Sequence, residues 1–292
     1  MSKEEVDLSI IIVNWNTCDL LGNCLASVYS KPCHVEFEVY VVDNASADNS
    51  VDMVTRDYPQ VKLIVNNENA GYAKANNIAM ELCQGHNILL LNSDTIVDPD
   101  VFNTTIELLR SRDDIGSLGC CLIGLDGSIQ ESWKHKIPGG PTIGISEEPD
   151  ANGLVKCGYV WGAYHLVKRE VIDQVGMLDK GFFMFYEDVD WCWRMYKAGW
   201  YTVYDPNHSI IHIYRASCNR TVSYKQQVYM LVSQRRLFEK HLSRFKSWYW
   251  RMERLFHFGL RFICLYIVCR VSPSKTWHNR LECLRAFVRA LI

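Results

Sequence analysis

The first hundred residues alternate between short apolar runs and helical patterns, and this alternation limits the folds that the chain can adopt. The apolar runs are LSIIIV (8–13), EFEVYVVDN (36–44), VKLIVNN (61–67) and NILLLNSD (87–94). Between them, apolar residues recur at helical spacing over residues 19–29, 48–57 and 72–84. Short strands that alternate with helices indicate βαβ units, so we predict an α/β domain built on a parallel, doubly wound sheet.

Polar residues follow each of these predicted strands. The clusters are Asn14-Trp15-Asn16, Asp43-Asn44-Ala45-Ser46, the segment 69–77 and Asn92-Ser93-Asp94. Any one of them is ordinary turn chemistry, because Asn, Asp and Gly favour turns and helix caps. In an open parallel sheet, however, ligands bind at the carboxyl ends of the strands, so four such clusters predict a binding site. The sequence contains neither GxGxxG nor GxxxxGK(S/T), which disfavours a dehydrogenase-type dinucleotide fold and a P-loop.

The stretch FFMFYEDVDWCWR (182–194) places three carboxylates among aromatic rings. Apolar surroundings penalise a charged carboxylate unless a positive group or a hydrogen-bond donor compensates. If a helix begins here, Asp190 lies in its first turn, where it favours the helix dipole and pairs with Arg194 at i+4. We therefore predict a structural role for Asp190, and Glu187 and Asp188 remain candidates for chemistry.

Charge is divided unevenly along the chain. Residues 215–292 carry 16 Lys and Arg against 3 Asp and Glu, a net charge of +13, whereas residues 1–214 carry 15 against 30, a net charge of −15. This division predicts two functional regions, the basic one directed at an anionic partner such as nucleic acid or a membrane surface. The 12 cysteines form no CxxC pair, and the N-terminus does not resemble a signal peptide, so we expect free thiols in a reducing cytoplasm.

Five motifs follow one another along the chain: VNWN, VVDNAS, NAGYAKANN, LLLNSDT and the segment from VWGAYH to YKAGW. Together they resemble glycosyltransferase family 2, the inverting type with the GT-A fold, and within it the rhamnosyltransferase-like enzymes of bacterial surface-polysaccharide assembly. The resemblance implies a GT-A catalytic domain over 1–220, a Rossmann-like, mostly parallel sheet flanked by helices. Its nucleotide-binding half would span about 1–100 and its acceptor half 101–220, with a basic helical extension over 221–292.

The resemblance implies a nucleotide-sugar donor, either a dTDP-sugar or a UDP-sugar. Trp15 corresponds to the aromatic residue that lies against the nucleobase, and a flat indole is suited to stacking. Asp43 would take hydrogen bonds from the base or ribose, Gly71 would allow close backbone approach, and Lys74 would help to neutralise the diphosphate. The further substrate contacts expected are Asn16, Asn44, Asn76, Asn92 and Trp161.

The family's metal motif is Asp-x-Asp, whereas this chain has Asn92-Ser93-Asp94. The resemblance implies that Asp94 ligates Mg²⁺ or Mn²⁺, hard cations that prefer oxygen and bridge phosphate oxygens. His212, in SIIHIYRAS, matches the family's histidine after the acidic motif and is expected as a second ligand. Asn92 would then serve the ribose.

Inverting transfer needs a base that takes the proton of the acceptor hydroxyl as the new bond forms. The aspartate of the family's Glu-Asp pair maps to Asp188, and aromatic surroundings would raise its proton affinity by desolvation. Glu187 would position the acceptor or share the hydrogen-bond network. On the acceptor side, the resemblance also implies contacts from Trp161 and His165.

The predicted function is metal-assisted transfer of a sugar such as L-rhamnose to a glycan or a polyprenyl-diphosphate-linked acceptor, as in lipopolysaccharide, O-antigen or cell-wall assembly. A hexosyl or N-acetylhexosaminyl transferase of the same fold and a non-catalytic nucleotide-sugar-binding module are left open. A sugar-phosphate nucleotidyltransferase is disfavoured, because residues 16–19, after the first strand, lack the glycine-rich basic phosphate loop that it needs.

The basic region contains SWYWRMERLFHFGLRFICLYIVCRV (247–271), and a further helical pattern lies at 281–292. The densest apolar part, 255–269, is shorter than the roughly 20 residues that a membrane-spanning helix needs. We therefore predict an amphipathic helix at an anionic membrane surface, and no nucleic-acid partner. The expected location is cytoplasmic, peripheral on the inner face of the cytoplasmic membrane. Packing of these helices on the catalytic domain or in a homo-oligomer is left open.

Overall fold

The computed structural model describes residues 6–142, 149–213, 224–271 and 284–292. The chain divides into two compact units. The first comprises Met1–Phe183 and Glu187–Ser217, and the second comprises Met184–Tyr186 and Cys218–Ile292. The first unit holds the sheet with its flanking helices, and the second holds the C-terminal helices.

In its described residues, the first unit has these strands: β1 (Leu8–Asn14), β2 (Phe37–Asp43), β3 (Lys62–Val65), β4 (Asn87–Asn92), β5 (Thr95–Ile96), β6 (Ile115–Ile123), β7 (Ile129–Gln130), β8 (Trp133–Lys134), β9 (Val155–Cys157), β10 (Tyr159–Val160), β11 (Tyr164–Lys168) and β12 (Tyr201–His212). Its helices are α1 (Cys18–Val28), α2 (Ser50–Asp57), α3 (Tyr72–Met80), α4 (Asp100–Arg110), α5 (Arg169–Val175) and α6 (Glu187–Lys197).

The main sheet has the strand order β3-β2-β1-β4-β11-β6-β12-β5, with β7 paired to β6 and β9 paired to β12. The strands β1 to β4 are parallel, as the alternation of strands and helices predicts. The strand β11 runs antiparallel between β4 and β6, and β12 is parallel to β6. The predicted mostly parallel α/β fold is therefore confirmed, and β11 is a reversed strand within it.

The apolar run of β1 explains why the first strands form. Ile10 and Ile12 belong to one buried cluster and Ile11 to another, because successive side chains of a strand point to opposite faces of the sheet. Both faces of β1 are covered, so its central run Ile10–Val13 is continuously apolar rather than alternating.

The strands β1, β2 and β4 end nearly level with one another. Asn14 lies opposite Asp43 in the β1–β2 register, and Val13 lies opposite Asn92 in the β1–β4 register. The loops that carry the predicted polar clusters therefore leave the sheet along one rim.

The second unit contains α7 (Tyr224–His241), α8 (Arg244–Val271) and a helical segment over 284–291. Arg251 of α8 donates hydrogen bonds to the carbonyls of Leu291 and Ile292, which joins α8 to the C-terminal segment. Across the described ranges, no helix combines the length and the apolarity needed to cross a bilayer.

Candidate active site

Asp43 joins the loops that follow β1 and β2. The Oδ2 atom of this buried carboxylate accepts a 3.0 Å hydrogen bond from the Asn14 amide, and its Oδ1 atom accepts a 2.8 Å bond from the Ser46 amide nitrogen. The Asn14 amide oxygen in turn accepts a 2.6 Å bond from the Thr17 hydroxyl. Asp43 therefore lies beneath the rim, where it fixes the shape of both loops.

Trp15 stands on these loops with half of its surface exposed, at 50%. The following residue, Asn16, has a φ of +54°, which L-residues rarely adopt. Two bonds hold Asn16 in place: its amide nitrogen donates to the Ser46 hydroxyl at 2.9 Å, and its Oδ1 atom accepts from the Ala47 amide at 2.7 Å. These bonds therefore fix the backbone next to the half-exposed indole.

Gly71 begins α3 at a φ of +81°. A Cβ atom at this position would lie 2.4 Å from the carbonyl oxygen of Phe183. The amide nitrogen of Tyr72 donates a 2.8 Å bond to that same oxygen. The backbone that approaches Gly71 is therefore that of Phe183, which immediately precedes the carboxylate-bearing segment in the sequence.

The other polar residues predicted near α3 lie at different depths. Asn44 is buried, donates a 3.4 Å bond to the Gly71 carbonyl and accepts a 2.8 Å bond from Asn66. Asn76 is also buried; its Nδ2 atom donates to the Tyr72 carbonyl, and its Oδ1 atom has no hydrogen-bond partner among the described residues. Lys74, by contrast, is exposed on α3.

Three residues between β10 and β11 connect the two sides of the site. The hydroxyl of Tyr72 donates a 2.9 Å bond to the Gly162 carbonyl, and the amide of Asn92 donates a 3.1 Å bond to the Ala163 carbonyl. On the other side, the Gly162 amide donates to the Asp188 carboxylate. One short segment, 161–163, therefore binds the start of α3, the end of β4 and the first turn of α6.

Asp188 and Glu187 differ in their surroundings. Asp188 is partly buried and accepts hydrogen bonds from the Val189 and Gly162 amides; burial nevertheless raises its pKa to about 6. Glu187 is buried, and the low polarity around it together with the Asp188 charge raises its pKa well above the ordinary range. Its Oε2 atom has no hydrogen-bond partner among the described residues. Both carboxyls are therefore shifted toward the protonated form, and because they interact they titrate as a pair.

Asp190 has the structural role predicted for it. Its buried carboxylate accepts a 2.9 Å bond from Nε of Arg194, one turn along α6. The same guanidinium donates to the carbonyls of Val175, Gly176 and Met177 at the end of α5. The ion pair thus fixes α6 against the preceding helix and keeps Asp190 away from the site.

The two predicted metal ligands meet at the opposite end of the site. The Nε2 atom of His212 lies 3.4 Å from Oδ1 of Asp94, because β5 and β12 pair as antiparallel strands next to them. The amide of Ile213 also donates a 2.8 Å bond to the Asp94 carbonyl. Carboxylate oxygen and imidazole nitrogen together are a donor set that suits Mn²⁺.

Gln130 determines which imidazole nitrogen faces Asp94. Its Nε2 atom donates a 2.8 Å bond to the His212 carbonyl, so its Oε1 atom is the one that meets His212 Nδ1, at 2.8 Å. Nδ1 must then carry the hydrogen, and the neutral ring has its lone pair on Nε2, the nitrogen next to Asp94. Asp94 and His212 thus fit a divalent cation. Within the described ranges, no third His, Cys, Asp or Glu joins them.

The acceptor-side predictions have different outcomes. His165 is wrong as an acceptor contact: it is completely buried against Trp191, and its Nε2 atom lies 3.9 Å from the Cys192 sulfur. Burial lowers the pKa of His165 to about 3, so it is a neutral core residue. Trp161 is partly exposed, and its amide donates to the Ser132 carbonyl at 2.8 Å; its contact with an acceptor stays a prediction.

A family model described as "Glycosyl transferase family 2" matches residues 9–176, which is more than half of the chain. The chain belongs to this family. It is accordingly a glycosyltransferase, and the mixed, mostly parallel sheet with its flanking helices is a GT-A fold.

Relatives with similar sequences act in glycan assembly. This glycosyltransferase is 26% identical over 232 residues to N-acetylglucosaminyl-diphospho-decaprenol L-rhamnosyltransferase of Mycobacterium tuberculosis, covering 70% of this chain and 75% of the relative. It is 26% identical over 206 residues to the low-salt glycan biosynthesis hexosyltransferase Agl10 of Haloferax volcanii, covering 64% and 61%. It is 25% identical over 223 residues to the O-antigen biosynthesis protein RfbC of Myxococcus xanthus, covering 72% and 17%.

Solved structures support the fold. The mannosyltransferase PcManGT of Pyrobaculum calidifontis, in complex with GDP-Man and Mn²⁺, matches with a TM-score of 0.58 and 14% identity, covering 97% of this chain and 85% of that one. GalNAc-T7 with UDP, GalNAc and Mn²⁺ matches with a TM-score of 0.65 and 16% identity, covering 99% and 57%.

Sequence reasoning missed two residues of the site, Tyr72 and Gln130. Tyr72 lies inside a quoted motif, but its partner Gly162 is 90 residues away. Gln130 lies on a two-residue strand, 82 residues from His212, and no local pattern marks it.

Proposed function

We propose that this glycosyltransferase moves a sugar, with inversion, from a nucleotide-diphospho-sugar to an acceptor hydroxyl, with Asp188 as the base. The observation that carries the proposal is the position of Asp188, which is bound to the same segment, 161–163, as the end of the donor strand β4. Inversion by direct displacement requires a base on the acceptor side and a leaving diphosphate on the opposite side.

Asp188 suits the role of base in both its charge and its affinity for a proton. At neutral pH it is ionised, yet its raised pKa makes it a stronger base than an exposed aspartate. As the acceptor oxygen forms its bond to the anomeric carbon, the bond from that carbon to the diphosphate oxygen breaks. The hydroxyl proton passes to the Asp188 carboxylate, and the nucleoside diphosphate leaves with the electron pair.

Glu187 would act as a hydrogen-bond donor. Burial and the neighbouring Asp188 charge raise its pKa well above the ordinary range, which favours the protonated form, and its Oε2 atom is unpartnered among the described residues. A protonated carboxyl next to the base can donate to a sugar hydroxyl and orient it, without competing for the proton that Asp188 takes.

Asp94 and His212 would hold a divalent cation, Mg²⁺ or Mn²⁺, and Gln130 would orient the imidazole. When bound, such a cation supplies positive charge that stabilises the departing diphosphate. The Asn at position 92 contributes no carboxylate, so Asp94 provides the negative charge of the pair.

On the donor side, Trp15 would stack on the nucleobase from its preformed loop, with Asn16 beside it. Asp43 and Asn44 are both buried and would act mainly by holding the loops in place. They would contact the donor only where a donor atom reaches below the rim. The exposed Lys74 would approach the diphosphate. Three further donor-side residues are retained in the proposal: Gly71, Asn76 and Asn92.

We propose L-rhamnose, carried on dTDP or UDP, as the donor sugar and a polyprenyl-diphosphate-linked glycan as the acceptor. The support is the rhamnosyltransferase relative, whose name specifies a decaprenol-linked acceptor. The hexosyltransferase relative supports a hexosyl donor as the second candidate. A polyprenyl acceptor would bring the enzyme to the inner face of the cytoplasmic membrane as a peripheral protein.

The test is release of nucleoside diphosphate from a panel of dTDP-, UDP- and GDP-sugars, with Mn²⁺ and a polyprenyl-linked acceptor mimic. Asp188→Asn keeps the shape of the side chain but removes the base, so we expect transfer to fall by about 10² to 10⁴-fold. Nucleotide binding, measured by calorimetry, should be unchanged in this variant.

The matched control is Glu170→Gln, which neutralises an acid exposed on α5 and should retain full activity. Transfer by Asp188→Asn at the rate of the unmodified enzyme would remove Asp188 as the base. Nucleotide binding without any transfer by the unmodified enzyme, across all donors, would favour a non-catalytic binding module. If only a hexose donor is turned over, the hexose would replace L-rhamnose as the proposed donor sugar.

A further inference from the structure

One face of the C-terminal helix α8 is covered by its neighbours in the second unit. Trp250 packs edge-on against Phe238 of α7, with ring centroids 4.9 Å apart. Phe258 lies 5.1 Å from Phe287 of the helical segment 284–291. These contacts account for the aromatic residues on this face.

The opposite face of α8 is apolar and uncovered. Residues spaced by three, four and seven positions lie on one side of a helix. This side carries five exposed apolar residues, which we name the α8 stripe: Phe245 (71% exposed), Tyr249 (62%), Phe256 (72%), Leu260 (47%) and Ile263 (59%). At 1.5 Å rise per residue the stripe is about 27 Å long.

The stripe differs from an ordinary scatter of surface apolar residues. Its members are contiguous along one helix face, and contiguous apolar patches on soluble proteins mark interaction sites. Exposed aromatic residues also border it, at Trp248 and Tyr266. Trp and Tyr favour the interface between water and lipid, because their rings are apolar and their N–H or O–H groups are polar.

The helix that carries the stripe has a positive net charge. Over Arg244–Val271 the sequence has six Lys and Arg against one acid, Glu253. Among the basic residues, Arg244, Lys246 and Arg261 are exposed. An exposed apolar face on a positively charged helix matches the chemistry of a lipid surface with anionic headgroups.

We propose that the α8 stripe is a docking surface for an anionic lipid bilayer, with α8 lying in the plane of the membrane interface. Phe256, Leu260 and Ile263 would enter the acyl boundary, and Trp248 and Tyr266 would lie at the level of the headgroups. This inference rests on the membrane location proposed above but not on the proposed reaction, so the two can fail separately.

A second copy of the chain fits the stripe less well. Two α8 helices paired through this face would bring together two helices that each carry six Lys and Arg against one acid, and like net charges repel. A bilayer with acidic lipids has the opposite charge and needs no matched partner surface.

The experiment is co-flotation of the full-length protein with vesicles of phosphatidylcholine and 30% phosphatidylglycerol, and with vesicles of phosphatidylcholine alone, at low and high salt. We expect flotation with the acidic vesicles at low salt and less at high salt. Replacing Phe256 or Ile263 by Asp should reduce partitioning by roughly tenfold or more each, since each loses the burial of a large apolar side chain. Circular dichroism would verify that the variants fold.

The control is Leu125→Asp, which adds the same charge at an apolar residue that is 70% exposed in the first unit, and it should float like the unmodified protein. Absence of flotation with acidic vesicles at low salt would overturn the inference, as would equal flotation of the Phe256 and Ile263 variants. Dimerisation in solution that these two substitutions abolish would assign the stripe to a second copy instead. None of these outcomes depends on whether a donor is cleaved.

Discussion

Tyr72 and Gly162 are joined by a 2.9 Å hydrogen bond from the phenolic hydroxyl to the backbone carbonyl, although 90 residues separate them. The amide of the same glycine donates to the Asp188 carboxylate. Tyr72, the first residue of α3, is therefore linked to the proposed base through a single backbone residue, Gly162.

We expect Tyr72→Phe to lower kcat about tenfold, because the Gly162 carbonyl loses a buried donor worth about 1 kcal/mol or more and the segment that positions Asp188 loosens. Steady-state kinetics with a fixed donor would measure this effect. The matched control is Tyr58→Phe, which removes a comparable 3.1 Å bond from a tyrosine hydroxyl to the Gly22 carbonyl. It should lose similar stability but no activity, and equal kcat values for the two variants would contradict the role of Tyr72.

The pH dependence of kcat/KM should follow Asp188. Its folded-state pKa is raised to about 6 by burial, so the carboxylate form gains population as the pH rises through 6. We expect kcat/KM to increase about tenfold per pH unit below that value and to level off above it. A flat profile between pH 4.5 and 7 would show that another group takes the proton.

The same raised pKa lowers the stability of the fold as the pH rises, whereas it raises the predicted activity. Because the folded-state pKa lies above the ordinary value of 3.8, ionisation of Asp188 destabilises the fold above about pH 6, and this penalty is absent below about pH 4. We expect Asp188→Asn to raise the melting temperature at pH 8 and to leave it nearly unchanged at pH 3.5. A variant that melts lower than the unmodified protein at pH 8 would contradict this expectation.

Gln130→Leu should weaken metal binding by about 10 to 100-fold, because the His212 ring loses the acceptor that fixes its tautomer. Electron paramagnetic resonance of Mn²⁺, titrated in the presence of UDP, would measure the affinity. Glu131→Gln is the control, since it changes an exposed neighbour whose carboxylate pairs with Lys134 at the surface. Equal Mn²⁺ affinity in Gln130→Leu and the unmodified enzyme would remove Gln130 from the metal site.

Gly71→Ala should destabilise the fold by about 3 kcal/mol or more, because its Cβ would lie 2.4 Å from the Phe183 carbonyl oxygen. Gly127 provides the control: it has nearly the same φ, +79°, but nothing lies within 4 Å of its added Cβ. Gly127→Ala should cost only about 1 to 2 kcal/mol, from the left-handed backbone alone. Urea denaturation of both variants would separate the clash from the backbone strain.

The first strands were predictable because largely buried apolar runs such as Ile10–Val13 in β1 and Ile88–Leu91 in β4 mark them in the sequence. The strand β6 reads IGSLGCCLI, and its small residues hide it from such a pattern. Gly119 is small for a packing reason, since a Cβ there would lie 2.7 Å from Val160. That neighbour comes from a strand 41 positions later, which local sequence cannot reveal.

The residues of the candidate site that the sequence could predict are those with a proposed chemical role of their own. Asp94, His212 and Asp188 stand in recognisable motifs, and the structure brings Asp94 and His212 within 3.4 Å. The residues that orient them were not predictable, because Tyr72 and Gln130 act through hydrogen bonds to distant parts of the chain. His165 was misassigned because its motif begins with the partly exposed Trp161, whereas the side chain of His165 is completely buried.

The reversed strand β11 has a consequence for how such an enzyme can diversify. Its entry point is bonded directly to the end of β4, so backbone pairing within one sheet fixes the segment next to the proposed base relative to the end of β4. Insertions elsewhere on the acceptor side could then change which acceptor binds without moving this segment.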